Sequence, residues 1–181
     1  MRVIAGTLKG RRLKAPTWDG LRPTSDKLRE TLFNILAPRM AGARVLDGYA
    51  GTGAIGIEAI SRGASSVTFV ERDRRAYALI AENLAHCGVE NGYAIIRGSV
   101  ARALTDLGAA GATFDIVVFD PPYEGDAESD IAGADSIVGA GGLLVVEHAR
   151  RHHMPDAIGS LVRTRQVVSG DSTLSFYACP P

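Results

Sequence analysis

Residues 43–53, Ala-Arg-Val-Leu-Asp-Gly-Tyr-Ala-Gly-Thr-Gly, place a short apolar run directly before a glycine-rich loop. A strand that ends at glycines before a helix brings backbone N–H groups close to a ligand. Glu71 ends the next apolar run, about twenty residues further on, where a carboxylate can accept the hydroxyl protons of a ribose. Together these features predict a site for a nucleoside-containing cofactor.

Asp47, immediately before the loop, narrows the choice of cofactor. A carboxylate there would repel the pyrophosphate of a dinucleotide, but it suits the ammonium group of a methionine moiety, directly or through water. The helix N-terminus beyond the loop can hold the methionine carboxylate. The sequence therefore favours S-adenosylmethionine over NAD.

From residue 43 onward, apolar runs alternate with helical stretches. The runs predict strands at 43–47, 67–70, 93–97, 116–120 and 142–147, and helices lie between them at about 54–62, 73–86, 99–107 and 127–138. This alternation gives a parallel sheet with right-handed crossovers and helices on both faces. The tail differs, because runs at 162–168 and 173–178 flank a Ser-Gly-Asp-Ser turn and predict an antiparallel hairpin. We expect a seven-stranded α/β sheet with one reversed strand.

The first 42 residues predict an extension of this core. Short runs at 2–5 and 11–15, separated by Gly6 and Gly10, are typical of a β-hairpin. Thr24 or Ser25 can then cap a helix whose apolar residues recur on one face, and Pro38 and Gly42 are expected to end it. We expect one domain over 1–181, with an extension at 1–42 and a catalytic core at 43–181.

Charge is distributed unevenly along the chain. The protein has 20 basic and 20 acidic residues, yet nine of the basic and three of the acidic ones lie in residues 1–40. A basic arm on a mildly acidic body indicates a polyanionic partner, and a solvated charged hairpin is the alternative. The candidate RNA-binding residues are Arg2, Lys9, Arg11, Arg12, Lys14 and Arg22.

Asp120-Pro121-Pro122-Tyr123 follows the buried run 114–119 and should lie at the carboxyl edge of the sheet. Two prolines remove two N–H donors and fix an extended backbone, which leaves the Pro121 carbonyl beside the Asp120 carboxylate. Two adjacent acceptors match the two N–H donors of an exocyclic amine, and Tyr123 could stack on the ring. The predicted chemistry is methyl transfer to such an amine, driven by positioning and charge placement.

Several motifs occur in one order along the chain. They are Arg2-Val3-Ile4-Ala5-Gly6 with Lys9-Gly10-Arg11-Arg12-Leu13, Arg22-Pro23-Thr24-Ser25-Asp26 with Arg29-Glu30-Thr31-Leu32-Phe33-Asn34, Val45-Leu46-Asp47 with Ala50-Gly51-Thr52-Gly53 and Gly56-Ile57-Glu58-Ala59, and Asp120-Pro121-Pro122-Tyr123. In these motifs the chain resembles the RsmD-type enzymes, class I S-adenosylmethionine-dependent methyltransferases that act on N2 of a guanine in 16S ribosomal RNA. The last motif is also shared with adenine-N6 and protein glutamine methyltransferases, whereas the N-terminal pair is more specific.

The resemblance implies a class I methyltransferase (Rossmann-like) fold and roles for individual residues. Asp120 and Pro121 would hold the target amine, with Pro122 and Tyr123 beside them. The implied cofactor residues are Thr24, Asp47, Tyr49, Ala50, Gly51, Thr52, Gly53, Glu71, Arg72 and Ser99. The chain departs from the family pattern at Gly48, where a bulky aliphatic residue is usual, and at Ser99, where an acid is frequent.

Composition limits the alternatives. With 46% hydrophobic and 22% charged residues the chain is not mainly disordered, and it contains no apolar run long enough for a membrane span. Cys87 and Cys179 are far apart, which argues against a disulfide scaffold or a metal site, and the start lacks a signal-peptide stretch. We expect a cytoplasmic monomer that binds 16S ribosomal RNA, alone or in a 30S particle, and no membrane. The alternatives are a DNA or RNA adenine-N6 methyltransferase, a non-catalytic RNA-binding protein with a retained cofactor pocket, and a NAD-dependent oxidoreductase.

Overall fold

The computed structural model describes residues 1–18, 25–122 and 127–180, and its strands form a single sheet. The strands are β1 (Arg44–Gly48), β2 (Ser66–Glu71), β3 (Tyr93–Arg97), β4 (Phe114–Phe119), β5 (Val138–Ala149), β6 (Ala157–Ile158), β7 (Leu161–Ser169) and β8 (Ser172–Ala178). Their order across the sheet is β3-β2-β1-β4-β5-β8-β7-β6. The first five are parallel, and β8, β7 and β6 follow as antiparallel neighbours.

The predicted α/β fold is confirmed, but the expected strand count of seven is wrong. The additional strand, β6, has two residues and pairs with Val162 and Leu161 of β7. Such a short strand leaves no alternating pattern in the sequence. β6 runs in the same direction as β8, so the sheet has two reversed strands. The C-terminal hairpin of β7 and β8 is present as predicted.

Helices cover both faces of the sheet. They are α1 (Asp26–Met40), α2 (Ala54–Ser61), α3 (Arg74–His86), α4 (Val100–Ala109) and the short α5 (Ala127–Ile131). Helices α1, α2 and α3 pack with Ile116, Val118 and their neighbours on one face, and α4 and α5 pack with Val117 and Phe119 on the other. Side chains alternate along β4 in this way because successive strand residues point to opposite faces.

Helix α1 begins where the sequence predicts and ends between the two predicted stop signals, Pro38 and Gly42. The Ser25 hydroxyl accepts a hydrogen bond from the Leu28 amide at 3.1 Å, which identifies Ser25 as the cap. The prediction that Pro38 ends the helix is wrong, because the helix continues to Met40. Met40 is buried in the core, and Pro38 and Asn34 are exposed, so water can reach the carbonyl that loses its partner.

The predicted helix at 127–138 is instead two short elements. Helix α5 ends at Ile131, and a 3-10 turn follows at Ala134–Ile137. Ile131, Ala134 and Ile137 are all buried, and this spacing of three suits a 3-10 turn better than an α-helix. Strand β5 therefore starts at Val138, earlier than the predicted residue 142.

The N-terminal segments lie antiparallel, as predicted for a hairpin, but regular pairing is limited to one bridge between Arg2 and Arg12. The pairing stops because a side chain of α2 takes the next backbone donors. The buried Glu58 carboxylate accepts from the Ile4 amide at 2.7 Å and from the Ala5 amide at 3.0 Å. These bonds attach residues 1–18, which we call the arm, to α2, the helix that follows the glycine loop. Within the described ranges, no helix is long and apolar enough to span a membrane.

Candidate active site

A cavity of about 740 Å³ opens at the carboxyl ends of the parallel strands. This is the edge where ligands bind in open α/β sheets, and the volume is in the range of cofactor sites. Its wall includes Tyr49, Ala50, Gly51, Thr52, Glu71, Arg72, Ser99, Asp120, Pro121 and Pro122. The structure therefore brings seven of the ten predicted cofactor residues into one cavity with Asp120, Pro121 and Pro122.

Glu71 joins the glycine loop to the end of β2. One carboxylate oxygen accepts from the Gly51 amide at 2.8 Å, and the other accepts from the Asp73 amide at 2.8 Å. Each oxygen of a carboxylate has a second acceptor site, so these bonds leave capacity for a ligand hydroxyl. Glu71 is 7% exposed and lines the cavity. It can therefore shape the loop and bind a ribose with the same group.

Asp47 is placed differently from the other predicted cofactor residues. Its side chain is buried and accepts from the Gly56 amide, at the first turn of α2, at 2.8 Å. Burial, with Asp120 and Glu71 adding repulsion, raises the pKa of Asp47 to about 8. In the described structure the carboxyl group connects the strand end to α2 and is not part of the cavity wall. Gly53 lies behind the wall in the same way and precedes α2.

Tyr49 has a positive φ of 61°, which is unusual for a residue with a side chain. Its hydroxyl donates to Asp130 at 3.1 Å, and its ring packs edge-on against Phe119. Burial raises the pKa of Tyr49 further above its usual range. The Phe119 ring also explains the departure at Gly48, because a Cβ at Gly48 would overlap that ring. A large aromatic residue on β4 thus fills the space that a side chain at residue 48 would occupy.

Ser99 and Arg72 line the cavity, and Ser99 also has a structural role. Its hydroxyl oxygen accepts from the Arg102 amide at 3.3 Å and caps α4. The hydroxyl proton can still be donated to a ligand acceptor. Ser99 is therefore both the cap of α4 and part of the cavity wall.

Asp120, Pro121 and Pro122 directly follow β4 and face the cavity. Phe119 is in register with Val146 of β5, so Asp120 has Glu147 as its neighbour on the next strand. Glu147 also lines the cavity and is 6% exposed. Three predicted site residues, Tyr123, Thr24 and Arg22, lie outside the described residues.

The remaining predicted RNA-binding residues, Arg2, Lys9, Arg11, Arg12 and Lys14, are all exposed. Lys14 forms an ion pair with Glu82 at 2.9 Å, and Arg11 donates to the last carbonyl of α3 at 3.5 Å. Arg2 and Arg12 are opposite each other in the antiparallel bridge, which puts their side chains on the same side. The arm also reaches the cavity, because Met1 and Pro16 form part of its wall.

Three buried polar residues were missed by the sequence analysis as site residues. Glu58 fastens the arm to α2, and Glu147 stands beside Asp120. Asn83 of α3 donates to the Thr52 carbonyl at 2.9 Å and accepts from the Lys14 amide at 2.7 Å, so it connects the glycine loop to the arm. A polar residue within an otherwise apolar helix face or strand was the available signal, since buried polar groups need partners.

Comparison with known proteins finds relatives that match most of this chain and are named rRNA methyltransferases. Residues 1–178 match the sequence model of the family described as conserved hypothetical protein 95. The chain is 36% identical to YlbH of Bacillus subtilis (strain 168), which is provisionally named an rRNA methyltransferase, over 98% of both chains. It is 42% identical to the ribosomal RNA small subunit methyltransferase D of Escherichia coli (strain K12), over 68% of this chain and 60% of that enzyme.

A solved structure agrees with these sequence relatives. The protein yhhF from Escherichia coli, provisionally described as a methyltransferase, superimposes with a TM-score of 0.83 at 34% identity. The match covers 98% of this chain and 96% of the other.

Proposed function

The chain belongs to the conserved hypothetical protein 95 family, and from that premise we propose that it is an S-adenosylmethionine-dependent ribosomal RNA methyltransferase. The proposed target is the exocyclic N2 amine of a guanine in 16S ribosomal RNA. One observation carries the proposal: the Gly51–Glu71 arrangement and Asp120-Pro121-Pro122 line the same cavity. A cofactor half and an amine-binding half that share one cavity are what methyl transfer requires.

The cavity suits S-adenosylmethionine by its residues as well as by its size. Glu71 would bind the ribose hydroxyls, and the loop from Tyr49 to Gly53 would hold the methionine end. Thr24, Arg72 and Ser99 remain proposed contacts of the cofactor, and Asp47 holds the start of α2 after the loop through its bond to Gly56. When bound, the cofactor supplies an electrophilic methyl group.

The target half of the cavity would position and activate the amine. The Asp120 carboxylate and the Pro121 carbonyl would each accept one of the two N–H groups. These two bonds localise the nitrogen lone pair and aim it at the methyl donor, so positioning and charge placement lower the barrier. The nitrogen becomes acidic once it is methylated and can then release a proton. No strongly basic side chain is required.

The RNA substrate is supported by the names of the relatives and by the arm. The Escherichia coli relative is named a small subunit rRNA methyltransferase. Like charges directly opposite in a β-bridge destabilise it, and an RNA phosphate between Arg2 and Arg12 would relieve that repulsion. Lys9, Arg11, Lys14 and Arg22 would extend this contact. The proposal includes a cytoplasmic monomer acting on 16S ribosomal RNA, free or in a 30S particle.

Transfer of radioactive methyl from S-adenosylmethionine tests the proposal. The purified protein is incubated with ribosomal RNA, or with assembling 30S particles, from a strain that lacks it. Digestion to nucleosides should then place the label in N2-methylguanosine. Label only in N6-methyladenosine or in protein would contradict the guanine assignment, and binding of RNA and cofactor without transfer would favour the non-catalytic alternative.

A further inference from the structure

Glu147 is a buried carboxylate to which the mechanism proposed above gives no role. It lies near the end of β5, is 6% exposed and forms part of the cavity wall. Its neighbours along the strand, Val145 and Val146, are fully buried apolar residues. Burying an ionisable side chain is unfavourable unless charged or polar groups compensate for the lost water. Through Glu147 the cavity wall therefore includes a carboxylate that can accept hydrogen bonds.

The register of the sheet places Glu147 next to the predicted amine site. Val118 pairs with Val145 and Phe119 with Val146, so the following residues, Asp120 and Glu147, are neighbours at the ends of two parallel strands. Parallel strands lie about 4.8 Å apart, and paired residues point to the same face. Val118 and Val145 belong to the same core cluster, which places the side chain of Glu147 on the face covered by α1 and α2. The two acids thus border one part of the cavity.

Two neighbouring acceptors suit the edge of a guanine. Guanine presents two kinds of donor side by side, the N2 amine and the N1–H group, and Asp120 with Pro121 would take the amine. We propose that Glu147 accepts the N1–H of the target base and selects guanine over bases that carry no proton at N1. This inference rests on the proposed function. A carboxylate has about four acceptor sites, so other contacts of Glu147 are compatible with this role.

The same carboxylate would exclude adenine. Adenine has an unprotonated N1, whose lone pair would face the negative charge of Glu147 without a hydrogen between them. A site that hydrogen-bonds a polar group of its substrate rejects an analogue that lacks the group, because the buried partner then stays unsatisfied. Glu147 would accordingly be a specificity-determining residue, while Asp120 handles the reacting nitrogen.

A substrate analogue separates these two roles. 2-Aminopurine keeps the exocyclic 2-amine but has no proton on N1, and it can be placed by ligation at the guanine that the wild-type protein methylates. Single-turnover rates with guanine and with 2-aminopurine are measured for wild type, Glu147→Gln and a control, Asp171→Asn. Asp171 also lines the cavity but is exposed in the turn between β7 and β8. Titration with S-adenosylmethionine checks that each variant still binds the cofactor.

Wild type should prefer guanine about ten- to hundredfold, the range of a hydrogen bond to a charged group. Glu147→Gln should reduce this preference at least tenfold, since a carboxamide can accept from N1–H or donate to a bare N1. Asp171→Asn should retain it. An unchanged preference in Glu147→Gln, or equal loss of both rates, would overturn the inference while leaving the proposed function intact. A wild-type protein without preference would overturn it even if the variant does not fold, and absence of any N2-methylguanosine would instead overturn the proposed function.

Discussion

The two halves of the cavity are built in different ways. The cofactor half, at the ends of β1 and β2, is internally bonded: Glu71 accepts from Gly51 and Asp73, and Asp47 accepts from Gly56. The target half, at the ends of β4 and β5, presents Asp120 and Glu147 from neighbouring strands. The first half holds its own backbone in shape, and the second would offer acceptors to the proposed base.

This difference has a functional meaning. Bonds between carboxylates and loop amides fix the geometry of the cofactor half before any ligand arrives, and such preorganisation favours binding. Two neighbouring acids at the target half would offer several acceptor sites to the donors of a base. Changes in the first half should therefore alter cofactor affinity, and changes in the second should alter turnover and base selection.

The largest effect is expected in the target half. Replacing Asp120 by Ala removes one of the two acceptors for the amine, and loss of one preorganised hydrogen bond at a reacting group lowers rates by about 10²–10³-fold. Cofactor affinity should stay within about twofold, because the amides of Gly51 and Gly56 are bonded to Glu71 and Asp47. Single-turnover transfer and calorimetric titration measure the two quantities. Unchanged turnover would remove Asp120 from the mechanism, and a parallel loss of cofactor affinity would erase the distinction between the halves.

The opposite pattern is expected at Glu71. In Glu71→Gln an amide N–H must face one of the two backbone donors, Gly51 or Asp73, so the loop loses a bond and the ribose loses an acceptor. We expect cofactor affinity to fall about ten- to hundredfold, as for loss of charged hydrogen bonds. Turnover at saturating cofactor should change much less. Glu90→Gln, at an exposed residue beyond α3, is the control, and an unchanged affinity in Glu71→Gln would contradict the assignment.

A smaller effect is expected at the arm. Replacing Arg2 and Arg12 together by Gln should weaken RNA binding about tenfold and lower the salt slope by about 1.5, as for two lost phosphate contacts. Cofactor affinity should not change. Filter binding over a salt series measures the slope. The control is Arg102→Gln on α4, on the other face of the sheet, and equal slopes in the two variants would show that the arm does not bind phosphate.

The smallest effect on activity is expected at Asp47, where the change appears in stability. Its pKa is about 8 in the folded protein against 3.8 for the free side chain, so the folded state keeps the proton more tightly. The resulting stabilisation is complete below about pH 4 and is lost as the pH rises to 8. The difference in unfolding free energy between wild type and Asp47→Asn should therefore decrease across this window in urea titrations. Parallel curves would show that folding does not raise the pKa of Asp47.

The sequence predicted the cofactor half better than the target half, for a physical reason. The loop, Glu71 and the capping Ser25 depend on residues close in the chain, which leave local patterns. Glu147 becomes a site residue only when β5 is placed beside β4, and nothing in its own run of residues indicates that pairing. The role of Asp47 was missed for a different reason: its carboxylate was assigned to the methionine ammonium, whereas it accepts from the Gly56 amide nine residues on.

The errors in the predicted fold have a similar origin. The helix continues past Pro38 because Met40 packs in the core. The short β6 forms because it pairs with the free edge of β7. Tertiary packing decides both, and neither element has a strong local pattern. The alternation of strands and helices from residue 43 onward was predictable because each buried strand carries its own apolar run.

The central claim is tested most directly by mass-spectrometric nucleoside analysis of small-subunit RNA from cells that lack this protein. The account predicts the loss of one N2-methylguanosine, its return when the wild-type gene is supplied, and no return with the Asp120→Ala variant. An unchanged nucleoside content, or the loss of a different modified nucleoside, would contradict it.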